Sequence, residues 1–348
     1  MSDGCFPPRF IRPYGLLLLQ QIEHQDSAVK IATLPSPEYH PVHIPAARSL
    51  EASVGDTPLV RLRHVTRGLP KSLQVYAKTE WTNPGGSVKD RAALFIIREA
   101  ENAGQLTPGM TLLDATSGNM GISYATFAAA RGYKVTLCLP ENASPERIKT
   151  LRVLGAELVL TDEMDGSDGA IIHARETAAA HPERFFYADQ YNNPANWHAH
   201  YHTTGPEIVS QTKERVTHFL CGLGTSGTMM GAGRLLKEHD ADIQLIAVQP
   251  EAPFHGIEGL KHMQSAIVPG FYDDNLPDEH LPIRTEGALE MTRRLAREEG
   301  LLAGISSGAA ACAAIEFAGN LSEGVIVTLF PDSGYKYLSD RFWEEGES

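Results

Sequence analysis

From about Gly55 onward, short apolar runs rich in β-formers alternate with amphipathic helical stretches, and this alternation limits the fold more than any other feature of the chain. The runs "LQVYAKTE" (73–80), "MTLLDAT" (110–116), "YKVTLCLP" (133–140), "AELVLT" (156–161), "THFLCGL" (217–223), "IQLIAVQP" (243–250) and "GVIVTLF" (324–330) read as strands. Helices are expected at 87–103, ended by Gly104, at 121–131, closed by Gly132, and at 144–154. Strands this apolar are buried on both faces, which is the pattern of a parallel sheet with helices on either side. The expected class is therefore α/β. With 348 residues there is room for two packed domains or one large one.

Charge narrows the function. Lys+Arg 30 against Asp+Glu 43 gives a net charge of -13, so a polyanion such as nucleic acid is not the expected partner. The four cysteines, Cys5, Cys138, Cys221 and Cys312, are scattered without a CxxC pair, which speaks against a disulfide framework or a zinc site and for a reducing cytoplasm. The run "GLLLLQQ" is too short to span a bilayer, and no cleavage pattern follows it, so neither a membrane span nor a signal peptide is expected. His198, His200 and His202 alternate too closely to share one helix face and have no evident carboxylate partner; packing histidines are expected there rather than a metal site.

Three loops of small residues follow strand ends, where open α/β sheets collect ligands. "TSGNMG" (116–121), "GTSGT" (224–228) and "GISSGAA" (304–310) each run into a helix N-terminus, which favours a carboxylate or phosphate. Read literally, "GLGTSG" matches a dinucleotide fingerprint. The acidic residue that fold wants at the end of the next strand is not there, since Val248-Gln249-Pro250 precede Glu251.

One lysine stands out. Lys89 in "NPGGSVKDR" lies between a glycine turn and a helix, with Ser87 as the expected N-cap and Asp90 imitating a capping box. In the first helical turn, beside the positive end of the dipole, a cation is disfavoured, and burial would lower the amine's pKa further. A neutral amine is what Schiff-base chemistry needs. Taken alone, Lys89 would pass for a solvated lysine, Asn119 for a turn residue and Ser306 for a helix cap.

Together and in order, "NPGGSVKDR", "TSGNMGI", "GLGTSGT" and "EGLLAGISSGAA" resemble the fold-type II pyridoxal-phosphate enzymes, and among them the cysteine synthase family. The connecting segments "NPANWHAHYHTTGPE" and "PDSGYKYLS" are similar too, so the likeness covers roughly Gly55 to Leu338. It implies two three-layer αβα domains with mostly parallel sheets and the cofactor, pyridoxal 5′-phosphate, in the cleft. The smaller, mobile domain would be 83–193 and the larger 51–82 plus 194–340, with an extension at 1–50 and a tail at 341–348. The resemblance assigns Lys89 the imine with the cofactor and the role of general base, and Asn119 a hydrogen bond to the pyridoxal 3′ oxygen. Gly224, Thr225, Ser226, Gly227 and Thr228 would wrap the phosphate, and Ser306 would face the pyridine nitrogen. Thr116, Ser117, Met120 and Gln190 would meet the substrate carboxylate. Ser333 is expected to cap its segment rather than touch a ligand.

The implied reaction is β-replacement through an α-aminoacrylate, forming L-cysteine from O-acetyl-L-serine or O-phospho-L-serine and a sulfide-type donor. Met120 stands where the family usually has threonine, which removes one hydroxyl near the carboxylate. The segment from Gly256, "GIEGLKHMQSAIVPGFYDDN", resembles the B-type cysteine synthases, where Lys261 could reach a substrate phosphate or simply balance Glu258 at the surface. A homodimer is implied, and a serine acetyltransferase or a sulfur-carrier protein are the candidate protein partners. Alternatives are a cystathionine β-synthase-like or diaminopropionate-pathway β-replacement, or a catalytically idle homologue acting as a binding subunit. Haem at Cys5 with His24, His40 or His43 has thin support.

Overall fold

The computed structural model describes residues 49–116 and 118–344; the expected extension, Ser117 and the end of the tail lie largely or wholly outside them. Ten strands occur among the described residues: β1 Leu59–Arg61, β2 Leu73–Thr79, β3 Thr111–Ala115, β4 Lys134–Pro140, β5 Glu157–Thr161, β6 Phe185–Tyr187, β7 His218–Gly222, β8 Gln244–Pro250, β9 Glu279–Ile283 and β10 Gly324–Phe330. The helices are α1 Lys89–Asn102, α2 Asn119–Arg131, α3 Pro145–Val153, α4 Gly166–Ala180, α5 Ala195–Ala199, α6 Gly205–Thr212, α7 Gly227–His239, α8 Thr285–Arg294 and α9 Ile305–Ala318. A π-helical turn, His200–Thr204, joins α5 to α6.

The strands form two sheets. Six run in the order β1-β2-β10-β7-β8-β9 and four in the order β5-β4-β3-β6. Every pairing is parallel except β1 on β2, so the α/β expectation holds. Successive strand residues go to opposite faces, and each face is covered. In the larger sheet, Leu220, Ile246, Val248 and Ile326 pack beneath α8 and α9, while Phe219, Leu245, Ala247 and Val327 pack against α7. In the smaller sheet Leu112 and Leu137 face α1 and α2, and Leu113 and Cys138 face α4. Both sheets are thus three-layered.

The expected helix at 87–103 begins two residues later, at Lys89, and the capping box is absent. The Ser87 hydroxyl accepts from the Lys89 N–H at 3.3 Å, but Asp90 turns away, accepting from the Gly85 N–H at 2.6 Å and the Ser123 hydroxyl at 2.5 Å. Asp90 is therefore a tie between the glycine turn and α2 rather than a cap. Two glycines make this turn. Gly86 has φ +78, and a Cβ at Gly85 would overlap the Asp90 carboxylate.

Arg91 anchors α1. Its guanidinium is fully buried and clamps Glu80 (2.7 and 2.9 Å) and Glu207 (2.6 and 2.8 Å), and Lys78 joins Glu207 at 2.6 Å. Burial alone would raise Glu207, but the Arg91 and Lys78 contacts outweigh it and hold the carboxyl at about 2. Removing one member strands opposite charges without solvent, which typically costs 3–5 kcal/mol. Arg91→Met should therefore lose about 3–5 kcal/mol of stability in urea unfolding, and Arg91→Lys, which lacks the planar fork, should recover only part.

Candidate active site

The carboxyl ends of the two sheets enclose a cavity of about 290 Å³. Lys89 lines it. The turn before Lys89 is held from both sides: Val88 donates to the Pro331 carbonyl at 2.9 Å, and Ser87 pairs antiparallel with Asp332. Asn83 organises the turn itself, accepting from the Gly55 N–H at 2.9 Å and donating to the carbonyls of Glu80 and Ser87. Burial pushes the Lys89 amine below its ordinary value, with the Asp332 carboxylate opposing. The amine is therefore easier to deprotonate than a solvated lysine, as the sequence leads one to expect.

Thr116, Asn119 and Met120 reach the cavity where β3 passes into α2. The Thr116 hydroxyl accepts from the Gly118 N–H at 3.2 Å, shaping the loop. Met120 belongs both to the cavity wall and to the core under α2, so part of its side chain does packing work. Gln190 also lines the cavity; one N–H of its side-chain amide goes to the Ala115 carbonyl at 3.1 Å, which leaves the other for a ligand. Beneath it the Asp114 carboxyl accepts from the N–H groups of Ala115 (2.8 Å) and Gln190 (3.4 Å). Burial raises Asp114 to about 7, against the pull of these hydrogen bonds.

The glycine loop lies opposite. Gly224, Thr225 and Thr228 face the cavity, whereas Ser226 and Gly227 are not on its wall. Ser226 sits at φ +63, and its buried hydroxyl has no hydrogen-bond partner within the described protein. A Cβ at Gly224 would strike the Gly259 carbonyl and one at Gly227 the Asn196 side chain, so neither position tolerates substitution. Asn196 links the loops, donating to the Gln190 carbonyl at 2.8 Å and the Thr225 hydroxyl at 3.1 Å. Ser306, in the first turn of α9, completes the wall.

Several members of the site carried no local signal. Asp332 is fully buried and accepts from Asn119 at 2.7 Å and the Tyr337 hydroxyl at 2.8 Å; its other oxygen has no partner. Lys336 donates to Asn119 and to the Gly86 carbonyl. Arg147 of α3 pairs with Glu258, so Lys261 does not balance Glu258. Instead the Lys261 amine lies 4.6 Å above the Tyr191 ring, and burial lowers its pKa. Ser333 caps its turn by accepting from the Tyr335 N–H, as expected. His198 does have a carboxylate partner, Glu99 at 3.1 Å, contrary to expectation. His200 is buried against Thr204 and Thr228 and held neutral by burial and by the nearby charges of Arg91 and Lys89. Cys138 and Cys221 line the cavity as protonated thiols; burial pushes Cys138 up to about 11 and Cys221 higher still.

The Asp114 shift yields a test. Between its unfolded value of 3.8 and about 7, the folded chain holds a proton at Asp114 that the unfolded chain has released, so raising the pH through this window costs stability. Asp114→Asn should gain on the wild type as pH rises from about 4 to about 7, read by urea unfolding at several pH values.

These residues suit a phosphorylated aldehyde. A buried amine of lowered pKa can hold the aldehyde. A loop whose glycines admit no side chain, with the unpartnered Ser226 hydroxyl at the α7 N-terminus, can hold the phosphate. A family model described as "Pyridoxal-phosphate dependent enzyme" matches residues 50–332. The cysteine synthase of Aquifex aeolicus is 48% identical over 297 residues, covering 84% of this chain and 91% of that protein. Cysteine synthase B of Salmonella typhimurium is 42% identical, covering 85% and 96%. The crystal structure of an Entamoeba histolytica cysteine synthase superposes with a TM-score of 0.82 at 34% identity, over 91% of this chain and 95% of that one. With a family model matched over residues 50–332 and relatives this similar over most of its length, the chain belongs to the pyridoxal-phosphate dependent enzyme family.

Proposed function

We propose that the chain is a cysteine synthase, forming L-cysteine by β-replacement from O-acetyl-L-serine or O-phospho-L-serine and a sulfide-type donor. The observation that carries this reading is the convergence of Lys89, Asn119, Gly224, Thr225, Thr228 and Ser306 on one cavity. Bound pyridoxal phosphate supplies an electron sink that acidifies the Cα proton of the substrate amino acid. Lys89 Nζ takes that proton and returns it after sulfur has added to the β-carbon. Thr116, Ser117, the Met120 backbone and Gln190 orient the substrate carboxylate. Asn119 would meet the cofactor's ring oxygen, the 224–228 loop would hold its phosphate, and the neutral Ser306 hydroxyl would face its ring nitrogen. Being neutral, the Ser306 hydroxyl would not demand a protonated ring nitrogen as an aspartate would, which suits β-elimination better than transamination.

Residues 83–193 are read as a smaller domain that closes over substrate on the remainder, excluding water from the reacting carbon. A cytoplasmic homodimer fits the family, with a serine acetyltransferase or a sulfur-carrier protein as the candidate partner. Among the described residues no helix is long and apolar enough to cross a membrane.

Lys261 supports the phosphoester. Arg147 is spent on Glu258, while Lys261 presents a cation on the cavity wall over the Tyr191 ring, with the Asp168 carboxylate acting on it only through space. A desolvated contact to a phosphate is worth about 1.5–3 kcal/mol. Lys261→Met should therefore lower kcat/KM for O-phosphoserine about 10- to 100-fold and change O-acetylserine less than about 3-fold. An equal effect on both esters would return Lys261 to a packing role.

Borohydride reduction of the holoenzyme followed by peptide mapping should place the cofactor on Lys89. Lys89→Ala should fold yet abolish turnover. A label at any other lysine removes the reading altogether.

A further inference from the structure

The Asn119 side-chain amide faces the cavity with an oxygen and a nitrogen that differ in what they bind but hardly in shape, so a half-turn would exchange them. Two residues distant in sequence decide its orientation. Lys336 donates to Oδ1 at 2.5 Å, and Asp332 accepts from Nδ2 at 2.7 Å. An ammonium has no acceptor and an ionised carboxylate has no donor. A flipped amide would set oxygen against oxygen at Asp332 and N–H against N–H at Lys336. With the observed orientation, one Nδ2 hydrogen goes to Asp332 and the other is left for an acceptor in the cavity.

Lys336 reaches further. Its amine donates to the Gly86 carbonyl at 3.2 Å, in the turn that leads to Lys89. One side chain thus touches both the asparagine loop and the lysine turn, and it does so from the short helical turn capped by Ser333.

We propose that Lys336 is a positioning residue for the reaction: by donating to Asn119 Oδ1 and to the Gly86 carbonyl, it fixes the amide with its N–H toward the cofactor and holds the asparagine loop against the turn that carries Lys89. This rests on the reading of Asn119 as a cofactor contact.

The test is a double-mutant cycle on the full chain, titrating apoenzyme with pyridoxal 5′-phosphate and recording both the dissociation constant and the absorption maximum of the bound cofactor. Lys336→Met should weaken binding about 10- to 100-fold, the loss expected for one charge-assisted hydrogen bond, and should shift the maximum. Lys336→Arg should stay within about 3-fold of wild type, because a donor is kept. In an Asn119→Ala background Lys336→Met should cost almost nothing more, since Lys336 would act through an amide already gone. A residue that merely stabilises the fold would instead give independent, multiplying effects, and that result overturns the proposal. Impaired binding by Asn119→Ala with wild-type binding by Lys336→Met overturns the proposal alone. Wild-type binding by Asn119→Ala overturns the reading of Asn119 and the proposal with it. Should Lys336→Met not fold, Lys336→Gln in the same cycle decides the matter on the same criteria.

Discussion

Ser87 and Asp332 pair backbone to backbone, and Val88 donates to the carbonyl of Pro331, so the turn before Lys89 is fastened to the segment leaving β10. The lysine turn thereby takes its position from a central strand of the larger sheet, although α1 packs on the smaller one. The same Asp332 that closes this backbone pair turns its carboxylate to Asn119 and Tyr337 and faces the Lys89 amine electrostatically. Loosening that contact would displace the lysine, release the asparagine amide and strand a buried carboxylate together.

Close to this junction lies the costliest part of the molecule. Arg91, Glu80, Lys78 and Glu207 are held almost entirely out of water, and a well-packed apolar set could match their stability. Apolar contacts would not give the same directional hold. The planar guanidinium receives two carboxylates at defined angles, and this sets the rotation of α1, on which Lys89 stands two residues earlier.

Much of this was legible in the chain itself, for a local reason. Strands buried on both faces must be apolar throughout, and loops that approach an anion must be built of glycine and hydroxyl residues, so both are written in consecutive positions. The edge strands β1, β6 and β9 were not legible: two are three residues long, and β9 carries Pro282. The partners that orient the site were hidden for a different reason. Nothing next to Lys336 in sequence suggests that it reaches Asn119, nor next to Arg147 that it meets Glu258; such pairs exist only once the sheets have formed. At Asp90 the local rule misled, because the carboxylate found better partners in Gly85 and Ser123 than at the helix end.

The two cysteines in the cavity wall have a consequence of their own. An enzyme that prepares a carbon for attack by sulfur exposes itself to alkylation by its own sulfur. Burial favours the thiol form of Cys138 and Cys221, and a thiol is a poor nucleophile beside its thiolate. The apolar setting that secures both sheets thus also works against the catalyst becoming its own substrate.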